Sequence, residues 1–152
     1  DVERSRGLGD VYKRQQLPLW LQNRIEAAIE ATKENDGLVL SICFSYGGRD
    51  DLVTALQKII DSEIPAHAVS EETIHNHLFT AGLPDPDLVI RTAGDQRLSN
   101  FLIWQCAYAE LYFTDTYWPD FGREDIDLAL AEYGRRKRKF GRLLPSDEKR
   151  VP

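Results

Sequence analysis

The amino-acid sequence predicts an α/β fold with an open, mainly parallel sheet and helices on both faces. Apolar, β-branched segments without strict alternation recur along the chain, as expected for strands that are covered on both sides. Segments with apolar residues at helical spacing lie between them. In one place Gly47 and Gly48 join such a strand directly to such a helix. Strand, glycine turn and helix in this order form half of a βαβ unit, which builds parallel sheets.

The first half of the chain contains two predicted helices and one predicted strand. Apolar residues at helical spacing from Leu21 to Ile29 predict a helix, which Asn35 to Gly37 should end. The apolar run Leu38 to Tyr46 predicts the first strand. A second helix follows and ends before Pro65. Its expected inner face comprises Leu52, Val53, Leu56, Ile59 and Ile60.

The second half continues the alternation. Ser70 caps a short helix expected to reach about Thr80. Strands are predicted at Leu88 to Thr92 and at Glu110 to Thr114, with a helix at about Ser99 to Tyr108 between them. The last helix should use Ile126, Leu130, Tyr133 and Phe140 as its inner face. Because three strands form a narrow sheet with vulnerable edges, this pattern indicates missing sequence.

Composition excludes several classes of protein. The 152 residues, 42% of them hydrophobic, suffice for one domain. A net charge of −6 opposes nucleic acid as a partner, so any anion site must be a local basic cluster. The sequence lacks an apolar run long enough to span a membrane and predicts a cytosolic protein. Cys43 and Cys106 lie in apolar segments and are expected to be free thiols.

The loop after the second predicted strand is the candidate site. Ligands of open α/β sheets bind beyond the carboxyl ends of the strands, and Arg91, Arg97 and Ser99 lie at such an end. Guanidinium groups bind phosphate oxygens in bidentate fashion, and the predicted helix start near Ser99 would add backbone donors. A phosphate or diphosphate fits this set. The alternative is that both arginines form surface ion pairs with nearby acids, namely Asp87, Asp95 or Asp115.

The same region carries a family resemblance. The signature of cis-prenyltransferases, a family that includes undecaprenyl diphosphate synthase, resembles the segment that starts at Arg91: RTAGDQRLSNFLIWQCAYAELYF. The resemblance extends to YGGRDDLV, TDTYWPDF and RRKRKFG, and it covers Leu17 to Gly141. It implies that Arg91, Arg97, Leu98 and Ser99 bind isopentenyl diphosphate. It also implies that Glu110 matches the family's acidic residue associated with Mg²⁺, an ion that prefers carboxylate oxygen.

The implied activity is cis-prenyl chain elongation. A prenyl transferase of this kind condenses isopentenyl diphosphate with an allylic diphosphate, such as farnesyl diphosphate, to give an undecaprenyl-like polyprenyl diphosphate. The family's Asp-Gly-Asn-Gly-Arg-Trp loop, which supplies the essential aspartate after a first strand, does not occur in this sequence. We therefore expect the C-terminal part of the family's domain, without a catalytic residue and inactive alone. The family also implies a homodimer.

The resemblance suggests boundaries and leaves alternatives. Residues 1–16 match poorly and are interpreted as a leader, residues 17–145 as the prenyltransferase part and residues 146–152 as a polar tail. The basic run RRKRK is interpreted as charges at a helix C-terminus, so membrane contact would be peripheral at most. Two other functions stay open. They are a noncatalytic partner subunit of a prenyltransferase and a generic anion-binding α/β domain.

Overall fold

A computed structural model of the chain describes residues 17–136. The chain divides into two compact units at Pro84. Among the described residues, the first unit contains three helices, α1 (Leu19–Thr32), α2 (Gly48–Asp61) and α3 (Glu71–His75). The second contains β1 (Leu88–Arg91), β2 (Glu110–Phe113) and α4 (Arg123–Arg135). Short 3₁₀ turns are present at Ala66–Ala68, Gln105–Tyr108 and Trp118–Asp120.

Some of the sequence predictions concern residues outside 17–136. These are the expected leader at 1–16, the last three residues of the basic run, the predicted inner-face position of Phe140 and the expected tail at 146–152. The boundaries of a single domain over 17–145 therefore stay a prediction.

The helices of the first unit begin where local chemistry favours a start. The carbonyl of Pro18 accepts hydrogen bonds from the backbone nitrogens of Leu21 and Gln22, so the proline precedes the first turn of α1. The Ser70 hydroxyl accepts from the Thr73 nitrogen, and the Thr73 hydroxyl accepts from the Ser70 nitrogen, which forms a capping box for α3. Helix α3 ends at His75, five residues before the predicted end.

Helix α2 confirms the predicted element but corrects its inner face. The buried residues are Gly48, Asp51, Ala55 and Ile59, which share one side of the helix. The side chains of Val53, Leu56 and Ile60 are exposed, and Ile60 retains 74% of its accessible surface. Hydrophobicity alone could not distinguish the two stripes, because apolar residues occupy both sides of this helix.

The predicted strand at Leu38 to Tyr46 is wrong for the described structure. Within these residues a single bridge position, Leu40, has strand-like pairing. Leu38 is 85% exposed, and Leu40 and Ile42 are also exposed, so this segment is not covered on both faces. The composition is that of a buried strand, but a strand also requires a neighbouring ladder of hydrogen bonds, which no described segment supplies.

The second unit contains the predicted parallel pair. Strand β1 pairs with β2 in the register Leu88 with Glu110 and Arg91 with Phe113. Both strands agree with their predicted positions to within one residue at the carboxyl end. The α/β class with a parallel sheet is therefore confirmed, although the sheet of the described residues has two strands instead of three.

Two predictions for the helices of the second unit need correction. The segment Ser99 to Tyr108 forms turns followed by a 3₁₀ turn and not a helix. Ser99, Asn100 and Leu102 have φ values of 49°, 64° and 45°, which a right-handed helix cannot contain. In α4 the buried residue is Ala129, whereas Ile126 and Leu130 are exposed.

Within residues 17–136 no helix is both long and apolar enough to cross a membrane. Cys43 and Cys106 are free, as predicted. Cys106 is buried, and this desolvation raises the pKa of its thiol. The negative charge of Asp85 raises it further, by a smaller amount.

Candidate anion site at the carboxyl end of β1

The loop after β1 is held by hydrogen bonds to the segment after β2. Ala93 and Gly94 have φ values of 68° and 75°, so the chain turns sharply directly after β1. The Ala93 nitrogen donates to the Thr116 carbonyl, and the Gly94 nitrogen donates to the Thr114 carbonyl, both at 2.9 Å. These bonds tie together the two loops that leave the sheet, and they fix the backbone from which Asp95 projects.

The two arginines predicted to bind diphosphate meet at one oxygen atom. Nη2 of Arg91 lies 3.0 Å from Oδ2 of Asp95, and Nη2 of Arg97 lies 2.6 Å from the same atom. The Arg91 side chain is 32% exposed and the Arg97 side chain 65% exposed. The guanidiniums are therefore neighbours, and both face solvent at the carboxyl end of β1.

This geometry contains both arrangements that the sequence left open. The arginines do form ion pairs with a nearby acid, and the acid is Asp95. Because the two pairs share one oxygen, they also bring the cations together, as an anion site requires. Asp95 was one of three acids named as possible partners, and the sequence did not indicate which of them pairs with the arginines. The spacing of Asp95, four residues from Arg91 and two from Arg97, was the available signal, but loop spacing alone does not determine side-chain direction.

Leu98 and Ser99 lie immediately after Arg97. Leu98 is partly buried and its carbonyl accepts a hydrogen bond from the Phe101 nitrogen at 3.0 Å. Ser99 is exposed. The prediction that a helix begins near Ser99 and adds backbone donors is wrong, because the described chain has no helix there. Any backbone contribution to anion binding must come from the turn itself.

Glu110 lies at the other end of the sheet. Its partner across the sheet is Leu88, three residues before Arg91, which corresponds to roughly 10 Å along the strands. Its Oε2 accepts a hydrogen bond from Nη1 of Arg136 at 3.0 Å, and the same nitrogen donates to the Leu111 carbonyl at 2.9 Å. The bond to Glu110 raises the pKa of the Arg136 guanidinium.

The residues around Glu110 do not by themselves fit a Mg²⁺ site. One of its carboxylate oxygens is bonded to a cation, and a metal there would meet the positive charge of Arg136. Among residues 17–136 there is no group of three or more acidic, histidine or cysteine side chains that could hold a metal ion. Glu110 as a metal ligand therefore stays a prediction.

A groove of about 390 Å³ lies beside β2 within the second unit. Its lining includes Gln96, which lies between Asp95 and Arg97 in sequence, and Arg136, which pairs with Glu110. Its remaining lining comes from β2 and α4, through Leu111, Tyr112, Phe113, Leu128, Glu132 and Arg135. Arg91, Arg97 and Glu110 do not line this groove, so it is separate from the candidate anion site.

Comparison with known proteins gives a consistent result. Residues 6–141 match a prenyltransferase family model with the description "Putative undecaprenyl diphosphate synthase". The chain is 49% identical over 132 residues to isoprenyl transferase of Aquifex aeolicus, covering 87% of this chain and 56% of the relative. It is 46% identical over 134 residues to isoprenyl transferase 1 of Corynebacterium diphtheriae, covering 83% of this chain and 51% of the relative.

A solved structure is also similar. The crystal structure of lavandulyl diphosphate synthase from Lavandula x intermedia, in complex with dimethylallyl diphosphate, has a TM-score of 0.82 and 38% sequence identity. The alignment covers 89% of this chain and 60% of that structure. The chain thus spans about half the length of the curated relatives that it matches. On the family model and these relatives together, the chain belongs to the cis-prenyltransferase family.

Proposed function

We propose that this chain takes part in cis-prenyl chain elongation by binding the diphosphate of isopentenyl diphosphate. The observation that carries the proposal is the convergence of Arg91 and Arg97 on one oxygen atom at the carboxyl end of β1. Leu98 and Ser99, which follow directly, complete the proposed binding segment. Membership of the family supplies the reaction class, and the paired guanidiniums supply a physical reason for a diphosphate ligand.

In the proposed reaction, the bond between the allylic carbon and its diphosphate breaks, and the diphosphate leaves with the bonding electrons. The double bond of isopentenyl diphosphate forms the new carbon–carbon bond, and loss of a proton gives a cis alkene. The residues of this chain would hold the diphosphate of the attacking substrate and orient its double bond. Farnesyl diphosphate is the proposed allylic partner, and an undecaprenyl-like diphosphate the proposed product.

Mg²⁺ is part of the proposal for the whole enzyme, where it would neutralise charge on the diphosphate leaving group. Glu110 stays the ligand that the sequence predicts, and its carboxylate would have to leave Arg136 to bind the ion. A homodimer and a cytosolic location stay predictions.

Titration calorimetry with isopentenyl diphosphate tests the proposed site. Arg97→Ala should weaken binding by roughly 10- to 100-fold, the range expected for loss of a charged hydrogen bond. Arg123→Ala is the matched control, because it removes the same charge from a side chain that is 94% exposed on α4. Equal affinity of the wild type and Arg97→Ala would remove Arg97 from the site.

An elongation assay tests the predicted inactivity of the isolated chain. The chain is incubated with farnesyl diphosphate, isopentenyl diphosphate and Mg²⁺, and the products are separated by length. We expect no elongation, because binding one diphosphate without positioning the other loses most of the preorganisation that the reaction needs. Product formation at an ordinary enzyme rate would contradict this expectation.

A further inference from the structure

Two like charges do not come together without a cause. The guanidiniums of Arg91 and Arg97 are both permanently charged and repel one another. The Arg97 side chain is 65% exposed, compared with 32% for Arg91, so it has room to move away into solvent. The atom that opposes this repulsion is Oδ2 of Asp95, which accepts a hydrogen bond from each guanidinium.

Hydrogen bonds hold the backbone directly before Asp95 in place. The two residues before it, Ala93 and Gly94, are bonded through their nitrogens to Thr116 and Thr114. A Cβ added at Gly94 would lie 3.0 Å from Oδ1 of Asp115, so the turn is closely packed against the loop after β2. The backbone directly before Asp95 is thus bonded to the loop after β2.

The shared oxygen leaves most of each guanidinium available. A guanidinium carries five N–H donors, and within the described residues Arg91 and Arg97 each bond to Asp95 through Nη2. The remaining donors can approach the oxygens of one diphosphate. The single carboxylate of Asp95 balances one of the two guanidinium charges, so these three side chains together still attract an anion.

We propose that Asp95 is a positioning residue that holds the Arg91 and Arg97 guanidiniums side by side for one diphosphate. This proposal rests on the proposed function and deepens it, because it names the group that organises the isopentenyl diphosphate site. Asp95 acts through the arginines, and its carboxylate does not contact the substrate. The arrangement prepares the site before the ligand arrives, which reduces the ordering required on binding.

The test compares diphosphate affinities of variants of the full 152-residue chain by titration calorimetry, with isopentenyl diphosphate and inorganic diphosphate as probes. Asp95→Asn should weaken both by roughly tenfold, because a neutral amide holds two guanidiniums poorly. Asp95→Glu should restore affinity to within roughly threefold of the wild type, because it restores the charge-assisted bonds. Asp127→Asn is the matched control, since it removes an equal charge from an exposed pair with Arg123.

A double-mutant cycle separates positioning from a general structural effect. If Asp95 acts through the arginines, adding Asp95→Asn to Arg97→Ala should cost much less affinity than Asp95→Asn alone. Equal losses in the two backgrounds would overturn the proposal. Thermal unfolding of every variant shows whether the chain is folded, and Asp95→Ala replaces Asp95→Asn if the latter is not.

Other outcomes also decide the question. Tighter diphosphate binding by Asp95→Asn would show that the carboxylate competes with the ligand, and it would overturn the positioning role. Unchanged binding by Asp95→Asn together with a loss in Arg97→Ala would reject this inference and keep the proposed function. Equal affinity of the wild type and Arg97→Ala, or no binding by the wild type, would reject both.

Discussion

The backbone nitrogen of Phe79 donates a 2.9 Å hydrogen bond to Oδ1 of Asp51, which lies 28 residues earlier in the chain and is completely buried. The other oxygen of this carboxylate accepts a bond from the Tyr46 hydroxyl at 2.9 Å. Asp51 therefore connects the segment before α2 and the segment after α3 to α2 itself. A buried acid of this kind is retained because both of its oxygens are bonded.

Asp51→Ala should lower the free energy of unfolding by about 2 to 4 kcal/mol, because it removes the bonds that the Tyr46 hydroxyl and the Phe79 nitrogen donate to a buried carboxylate. Urea unfolding followed by circular dichroism measures this. Asp61→Ala, at the exposed end of the same helix, should change stability by less than about 0.5 kcal/mol. A similar small effect of Asp51→Ala would show that the buried bonds contribute little.

The turn after β1 allows a paired test at neighbouring positions. Gly94→Ala should destabilise the chain by about 1 to 2 kcal/mol, because a side chain at a φ of 75° is strained and its Cβ would press on Asp115. Ala93→Gly should instead stabilise it by up to about 1 kcal/mol, since the alanine already has a φ of 68°. Thermal unfolding gives both values. Two changes of the same sign would contradict the assigned backbone conformations.

Local sequence information was sufficient for the elements whose patterns determine them. Helices α1 and α2 and strands β1 and β2 were predicted at nearly the correct positions, because their apolar periodicity and their glycine and proline boundaries are properties of short segments. The segment Leu38 to Tyr46 could not be resolved in this way. Its apolar composition permits a strand, but a strand forms only beside a partner, and pairing is a property of distant residues.

The candidate site likewise has features that short segments determine and features that depend on distant residues. Arg91, Arg97 and the segment after them could be identified from residue type and from the family signature. The shared bond to Asp95 could not, because it depends on the bonds that Ala93 and Gly94 make to residues at least 20 positions later. The loop at Ser99 and Asn100 was mistaken for a helix. Asn100 is a signal against a helix at this position, because asparagine tolerates a positive φ.

The start of α4 makes stability depend on pH. The Gly122 nitrogen donates to Oδ2 of Asp125 at 2.9 Å, and the Thr116 hydroxyl donates to Oδ1 at 2.8 Å. Both bonds lower the pKa of Asp125 below its ordinary value, and the bond from the Gly122 nitrogen has the larger effect. A lowered pKa in the folded chain contributes stability above the unfolded pKa, and this contribution is lost as the pH falls through the folded pKa.

Thermal unfolding of the wild type and Asp125→Asn between pH 7 and pH 2.5 measures this contribution. The wild type should be more stable at pH 7, and its advantage should shrink below about pH 4, where an unfolded aspartate becomes protonated. Thr116→Val keeps the carboxylate but removes one donor, so it should show an intermediate difference. A constant difference between wild type and Asp125→Asn at all pH values would contradict the assignment.

Glu110, which pairs with Arg136, has a structural role or a role as a metal ligand, and the variant Glu110→Gln tests which. Glu110→Gln should lower the free energy of unfolding by up to about 1 kcal/mol, because it weakens a partly exposed ion pair that joins β2 to the end of α4. Without diphosphate, millimolar Mg²⁺ should shift the unfolding temperatures of wild type and variant equally, since Glu110 is bonded to Arg136. Arg123→Ala, which breaks an exposed pair on the same helix, serves as the control. A stabilisation by Mg²⁺ that is present in the wild type and absent in Glu110→Gln would instead establish Glu110 as a metal ligand and require Arg136 to release it.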